Sequence, residues 1–392
     1  MQSHLLTGVF IIVFVVSLLV SASAADVPGE FNIPTTLPLD ANQLTKLRRL
    51  VKEDDEAAAL AETIKRAGKG LVGGKPRPLE VIHYEGLVNT HPKRIATVRK
   101  LKDLADVARL VSYWQVTGDP NAADAMERYV LAWSSTYKIT GNDVNENKFF
   151  PLLNAYLAVR SRMEKSQRTR VEAWIRRMGE AHRRAVAKPR QFSNRYGKSL
   201  RILAQTGMIL AEEKWIAEAR QGVKRFVKEA LRADGRSRDL ERRDTLTYHG
   251  SSLKTPMDLA IMLGRQGREL YTWENDAGGS IKKSVDYVVP YALGKKKRKE
   301  WQNSKVGLDR RRSKAGLEKY KRGRLFRPKD ALGLMEKASY FDPSLVDVVV
   351  HILDSDAKRF PTWRVLLNEA ARPGEPDEAE GRSEEDRPDT KP

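Results

Sequence analysis

The 392-residue chain contains no cysteine, so disulfide frameworks, thiolate zinc sites and thiol nucleophiles are excluded and any base or nucleophile comes from another residue type. Histidine is scarce. One of the six, His4, lies just ahead of an N-terminal apolar run, and the others show no His-Glu-x-x-His or paired spacing, so no metal site is expected. A Walker-type glycine loop and a Gly-x-Ser-x-Gly elbow are also missing, and no cofactor is expected. The acidic residues sit mostly on charged helical faces, which leaves hydrolysis by an isolated carboxylate pair without support.

What is present is a core-forming composition. With 41% hydrophobic residues, seven Trp, twelve Tyr and ten Phe, the chain is neither wholly disordered nor collagen-like, and it is not a multi-span membrane protein. Lys and Arg number 71 against 51 Asp and Glu, a net charge of +20. Leu5 to Val20 is almost unbroken apolar sequence, followed by Ser21-Ala22-Ser23-Ala24. This reads as a secretory signal over residues 1–24, cleaved before Ala25, although no Lys or Arg precedes the run. An uncleaved N-terminal anchor is the alternative. Either way the body is expected to be exported, to the periplasm or the medium, and without the signal it has no stable membrane insertion. The segment 373–392, with eight acidic and three basic residues, is expected to be a disordered acidic tail, leaving a charge of about +25 on residues 25–372.

Apolar residues in that body recur at helical spacing, as in Val98, Leu101, Leu104, Ala108 and Val111, and no strand alternation is visible. Further helices are expected around 43–66, 121–137, 150–163, 167–187, 214–232, 251–265, 280–292, 329–338 and 344–353. Breaks fall at Gly118-Asp119-Pro120, Gly141-Asn142, Lys188-Pro189 and Asp234-Gly235. Antiparallel helical hairpins on short turns suit an α-solenoid or a closed ring, and the lack of a fixed repeat favours an all-α, (α/α) toroid, an incomplete α/α barrel. Two stretches are expected to be irregular: Leu71 to Asn89, which holds His83 and Tyr84, and Gly235 to Gly250, which holds Arg236, Arg238, Arg242, Arg243, Tyr248 and His249.

The second stretch places arginines just before a tyrosine and a histidine. In β-elimination from a uronate polymer, the C5 proton is removable only when the adjacent carboxylate is neutralised, which Arg, Asn or His can do. A base then takes that proton and an acid protonates the leaving glycosidic oxygen. Tyr can fill both roles where Arg neighbours favour its phenolate. Tyr248 as a buried capping tyrosine is the plainer alternative.

These residues resemble a family. Asp-Gly-Arg-Ser from Asp234, Leu240-Glu241-Arg242, Thr245-Leu246-Thr247-Tyr248-His249 and Gly278-Gly279-Ser280 before Pro290-Tyr291 look like the alginate lyase superfamily of α/α toroids. So do Thr117-Gly118-Asp119, Ala132-Trp133 and Pro151-Leu152-Leu153-Asn154-Ala155-Tyr156, and the resemblance spans roughly 80–295. It implies a polysaccharide lyase. The family's Asn-His motif matches Phe192-Ser193-Asn194-Arg195-Tyr196-Gly197, with Arg195 in place of His. Arginine neutralises a carboxylate but is a poor proton acceptor near neutral pH, so Tyr248 is left as base and acid.

The resemblance implies catalytic roles for Tyr248, Asn194, Arg242, Arg195 and His249, with Arg242 preferred to Arg243 by its spacing. Arg243, His83, Tyr196 and Tyr84 are expected substrate-binding neighbours. Asn194 as a helix N-cap and the histidines as structural groups are the alternatives. Trp114 and Trp133 suit core better than a sugar platform. The basic runs Lys295 to Lys299 and Arg310 to Arg312 suit a polyanion field or a solvated face, and export argues against nucleic acid. The expected partner is an anionic polysaccharide such as alginate, polymannuronate or a glucuronan. A noncatalytic polyanion binder on the same scaffold is the other reading.

Overall fold

The computed structural model describes residues 33–373. The expected signal and nearly all of the acidic tail lie outside them.

Local sequence rules start the helices. α1 (Ala41–Glu53) opens on Asp40, whose carboxylate accepts from Gln43 N. Asp54 then N-caps α2 (Asp55–Lys69), splitting what the periodicity reads as one helix over 43–66. Pro92 begins α3 (Pro92–Thr117), which ends on Gly118 in the left-handed conformation, and Asp119 with Pro120 begins α4 (Pro120–Thr136). A φ of +69° suits the glycine, and the missing proline N–H falls where a helix has no internal acceptor. The chain continues through α5 (Asp143–Glu146), α6 (Phe150–Val159), α7 (Lys165–Ala187), α8 (Asn194–Leu210) and α9 (Glu213–Ala230). α10 (Arg238–Arg243), α11 (Leu246–Met262), α12 (Arg265–Thr272), α13 (Ile281–Asp286), α14 (Val289–Ala292) and α15 (Gly307–Lys314) follow, then α16 (Pro328–Ala338), α17 (Leu345–Leu353) and α18 (Trp363–Ala371).

The structure corrects the sequence reading of 235–250, most of which is helical. Ser237 caps α10, Thr245 caps α11, and the arginines that suggest a loop are held by ion pairs, Arg236 with Asp234 at 2.6 Å and Arg243 with Asp309 at 3.1 Å. The stretch 71–89 is irregular, as its glycines and prolines require.

The helices form an α/α toroid. On the inner side α3 packs on α6, α8 on α11, α11 on α16 and α16 on α18, with α2, α4, α7, α9 and α17 outside them. α18 returns to α1 and α1 to α3, so the ends of the ring meet. Polar contacts hold that seam, with Lys46 3.2 Å from Glu369 and Gln115 Nε2 donating to Leu37 O at 2.7 Å. Two apolar clusters fill the space between layers, one from α3 to α7 and one from α8 to α18 joined by α1. Trp133, Phe149 and Trp174 form the centre of the first at ring separations of 5.5 and 5.4 Å, which makes Trp133 core. Truncating such an aromatic costs on the order of 3–5 kcal/mol. Among the described residues no helix is long and apolar enough to cross a membrane.

One close approach sets the geometry of the site. A Cβ on Gly197 would lie 2.7 Å from Thr255 Oγ1 and 3.0 Å from Pro256 Cδ, so only glycine lets α8 press this tightly on α11.

Candidate active site

Tyr248 sits in the first turn of α11, which is pinned from outside the helix. The buried carboxylate of Glu300 accepts from Thr247 N at 3.0 Å, Thr245 Oγ1 at 2.7 Å and Thr247 Oγ1 at 2.8 Å, a favourable charge at a helix N-terminus. The Arg243 guanidinium lies 3.5 Å from the centre of the Tyr248 ring, and Arg312 Nη1 donates to the Tyr248 hydroxyl at 3.2 Å. Burial pushes the phenol up, but the positive charges of Arg243 and Arg312 outweigh it and hold it below its ordinary value. It is thus Arg243, and not the Arg242 expected from spacing, that packs on the tyrosine. Arg242 is exposed and donates to Gln191 at 3.0 Å, because its side chain leaves α10 one position around the helix from the face that meets Tyr248.

His249 is also corrected. It follows Tyr248 on the helix and points into the core, fully buried, with Nε2 2.8 Å from the Ser284 carbonyl oxygen and Nδ1 2.8 Å from Ser237 Oγ. The carbonyl can only accept, so Nε2 carries the proton and Ser237 donates to Nδ1. Burial lowers the imidazole to about 4, leaving a neutral pin between α10, α11 and α13. Tyr196 likewise belongs to the core between α8 and α9, edge-on to Phe192 at 5.0 Å.

Asn194 is the first residue of α8, and Ser193 is the N-cap. Its backbone N–H donates to Asp239 at 3.2 Å, and Asp239 in turn lies in the field of Arg243, so one carboxylate of α10 ties the start of α8 to the Tyr248 end. The Asn194 side-chain amide has no partner among the described residues. One turn on, half-buried Lys198 also has no hydrogen bond or ion pair among them. Burial lowers its ammonium, while Asp143 and Tyr248 pull the other way, which places it electrostatically between the two ends of the site.

Arg195 stands on a different footing. Its Nε and Nη2 donate to Asp143 Oδ1 at 2.9 and 2.5 Å, and Nη1 pairs with Glu85, which also accepts from Asn142. Asp143 is presented by α5, whose loop is fixed by buried Glu146. That carboxylate accepts from Thr140 N at 2.6 Å and Gly141 N at 3.0 Å and lies 2.8 Å from His182 Nε2. Glu85 belongs to the irregular stretch with Tyr84 and His83. The Tyr84 ring has Arg94 and Lys148 each 3.7 Å from its centre, and burial, with Lys198 and Arg94 nearby, lowers Lys148 to about 7. His83 is exposed beside a 390 Å³ cavity that Tyr84, Glu85, His91, Asn142 and Asn145 also line.

The groups drawn together are thus Tyr248, Arg243, Asn194, Lys198 and, through Lys148, Tyr84. Lys198 has a visible sequence signal, its i+4 spacing from Asn194. Arg312 has none beyond the basic run that contains it.

A helical toroid carrying a tyrosine among arginines, with an asparagine and a lysine at the head of a neighbouring helix, has the composition of a site for an acidic sugar polymer. The family model for alginate lyase matches residues 48–298, and the chain belongs to the alginate lyase family, a polysaccharide lyase. An alginate lyase from Bacteroides ovatus shares the fold at a TM-score of 0.57 and 13% identity, over 83% of this chain and 97% of that one. Alginate lyase A1-III from Sphingomonas species A1 aligns at a TM-score of 0.49 and 14% identity, over 73% of this chain and 92% of that one. No curated protein matches the sequence.

Proposed function

We propose that the protein is an exported lyase that cleaves an anionic uronate polysaccharide, alginate, polymannuronate or a glucuronan-like polymer, by β-elimination. The observation that carries this reading is the Tyr248 phenol, kept low by Arg243 and Arg312 within the field of Lys198. Tyr248 takes the C5 proton as phenolate. The C4–O glycosidic bond then breaks, a C4=C5 double bond forms, and the same hydroxyl returns its proton to the leaving oxygen. This requires the proton and the leaving group on one face of the sugar. The carboxylate is received by Asn194 and Lys198, whose polar groups have no protein partner among the described residues, rather than by Arg195, which already faces two carboxylates. Export rests on the apolar run Leu5 to Val20 and its small-residue boundary.

Purified protein incubated with polymannuronate, mixed alginate, glucuronan and a glycosaminoglycan tests the reading. Ultraviolet absorption from an unsaturated uronate should grow with at least one of them. New reducing ends without that absorption mean hydrolysis, and binding without either product means a noncatalytic polyanion binder.

A further inference from the structure

The family match ends at residue 298, yet part of what surrounds Tyr248 comes from after it. From Lys299 to Leu325 the chain makes an excursion closed at its base by an isolated antiparallel bridge between those two residues. Glu300 N donates to Arg324 O at 2.8 Å and Gly323 N to Glu300 O at 2.8 Å, while Arg324 Nη1 reaches the buried Glu300 carboxylate at 3.0 Å. The excursion is therefore anchored by the same carboxylate that pins the first turn of α11. Its far part returns over the tyrosine. Trp301 meets the Tyr248 ring edge-on at 5.6 Å, Asp309 pairs with Arg243 at 3.1 Å, and Arg312 Nη1 donates to both Tyr248 at 3.2 Å and Tyr320 at 3.0 Å.

We propose that this excursion completes the active centre, with Arg312 the positioning residue that aims and holds the Tyr248 hydroxyl. The inference deepens the lyase reading and rests on it for its kinetic consequence. A phenolate is stabilised by a donor at its oxygen more than by a cation over its ring, since the negative charge is concentrated on the oxygen. Arg243 lies over the ring and is shared with Asp309. Arg312 lies at the oxygen, and Tyr320 adds a second hydroxyl there. The charged and titratable groups that face Tyr248 are Arg243 from α10, Lys198 from α8, Asp309 and Arg312 from α15, and Tyr320 from the turn after it. Of these, Arg312 and Tyr320 hydrogen-bond the hydroxyl. Removing Arg312 raises the pH at which the phenol ionises, so the acidic limb of kcat/KM moves to higher pH. A one-unit shift lowers turnover below the limb about tenfold.

The test uses the full chain with 13C-labelled tyrosine, the Tyr248 signal being assigned by its loss in Tyr248→Phe. In Arg312→Met the Tyr248 signal should titrate at higher pH than in the wild type by about one unit, with Arg312→Lys in between and Tyr320→Phe shifted by less. Elimination should show the matching displacement of its acidic limb, with kcat lowered about tenfold and KM nearly unchanged. A Tyr248 titration that stays in place in folded Arg312→Met overturns the proposal. Should Arg312→Met not fold, Arg312→Lys and Tyr320→Phe decide in the same way, since both leave the excursion's anchor at Glu300 intact. If the wild type produces no unsaturated product, the lyase reading falls, and the titration still decides whether Arg312 controls the phenol.

Discussion

At the head of α8 a single guanidinium, Arg195, faces two carboxylates; at the head of α11 two guanidiniums, Arg243 and Arg312, face one phenol. The residue type is the same and the consequence is opposite. Around Arg195 the protein's own anions compensate the charge, which fastens the irregular stretch at Glu85 to α8 and α5. Around Tyr248 Asp309 offsets only part of the positive charge, and the remainder is directed at a hydroxyl that can carry a proton. Between the two lies Lys198, half-buried and without a partner among the described residues. An uncompensated, partly desolvated ammonium is unfavourable in the free protein, and an incoming carboxylate relieves it. Positive charge that the fold leaves unpaired is thus where an anionic ligand gains most.

The largest effect expected from this contrast is at Tyr248. Tyr248→Phe keeps the ring that packs on Arg243 and Trp301 and removes only the hydroxyl. Folding and polymer binding should persist while kcat falls by about 10²–10⁴. Steady-state elimination together with a binding measurement on the same oligouronate checks this. Near wild-type turnover would move the proton carrier elsewhere, with His83 the exposed candidate and His249 disfavoured by its burial.

Adjacent residues 248 and 249 show what the sequence made legible and what it did not. The Tyr-His pair, its arginines and the order of motifs before and after it are enough to identify the family and the toroid. Which of the pair faces the cleft depends on the rotation of α11. That is set by capping at Thr245 and Glu300, the latter 55 residues along the chain from the threonine. Which of Arg242 and Arg243 packs on the tyrosine depends on rotation in the same way: one position on a helix is a turn of about 100°, enough to carry a side chain from the tyrosine to solvent. Gly118, Asp119 and Pro120 needed no such context, because a left-handed cap, an N-cap and an N1 proline are local conditions. Arg312 lay furthest from inference. Its bond to Tyr248 depends on a bridge between residues 299 and 325 that no periodicity foreshadows.

The next effect sharpens the contrast at its centre. Lys198→Met removes the unpaired ammonium and keeps much of the apolar stem, so the free protein should be at least as heat-stable as the wild type. Loss of the group that meets the uronate carboxylate should lower kcat by about 10²-fold. The loss should shrink on a polymer whose carboxyls are methyl-esterified, since those carry no charge to neutralise. An equal loss on the acid and the ester would assign Lys198 to packing instead.

The smallest kinetic effect is expected at Arg195. If Glu85 and Asp143 already satisfy its guanidinium, Arg195→Gln should lower kcat/KM only about threefold, through loosening of the loop that carries Tyr84. Its main consequence should be on stability. The Asp143 side chain is 9% exposed and its Oδ2 has no hydrogen-bond partner, so losing the arginine leaves a largely buried carboxylate uncompensated. Arg195 itself is 42% exposed, and solvent moderates the cost to about 1–2 kcal/mol, measurable by denaturant unfolding. Arg195→His then separates two histories of the site. A histidine here offers at most two N–H donors for the three ion-pair bonds, and two only when protonated, so it should be nearly as destabilising as glutamine and should not raise elimination. A variant that unfolds like the wild type but loses activity a hundredfold would show that substrate displaces Glu85 from Arg195, and the neutralising charge would return from Lys198 to the motif position.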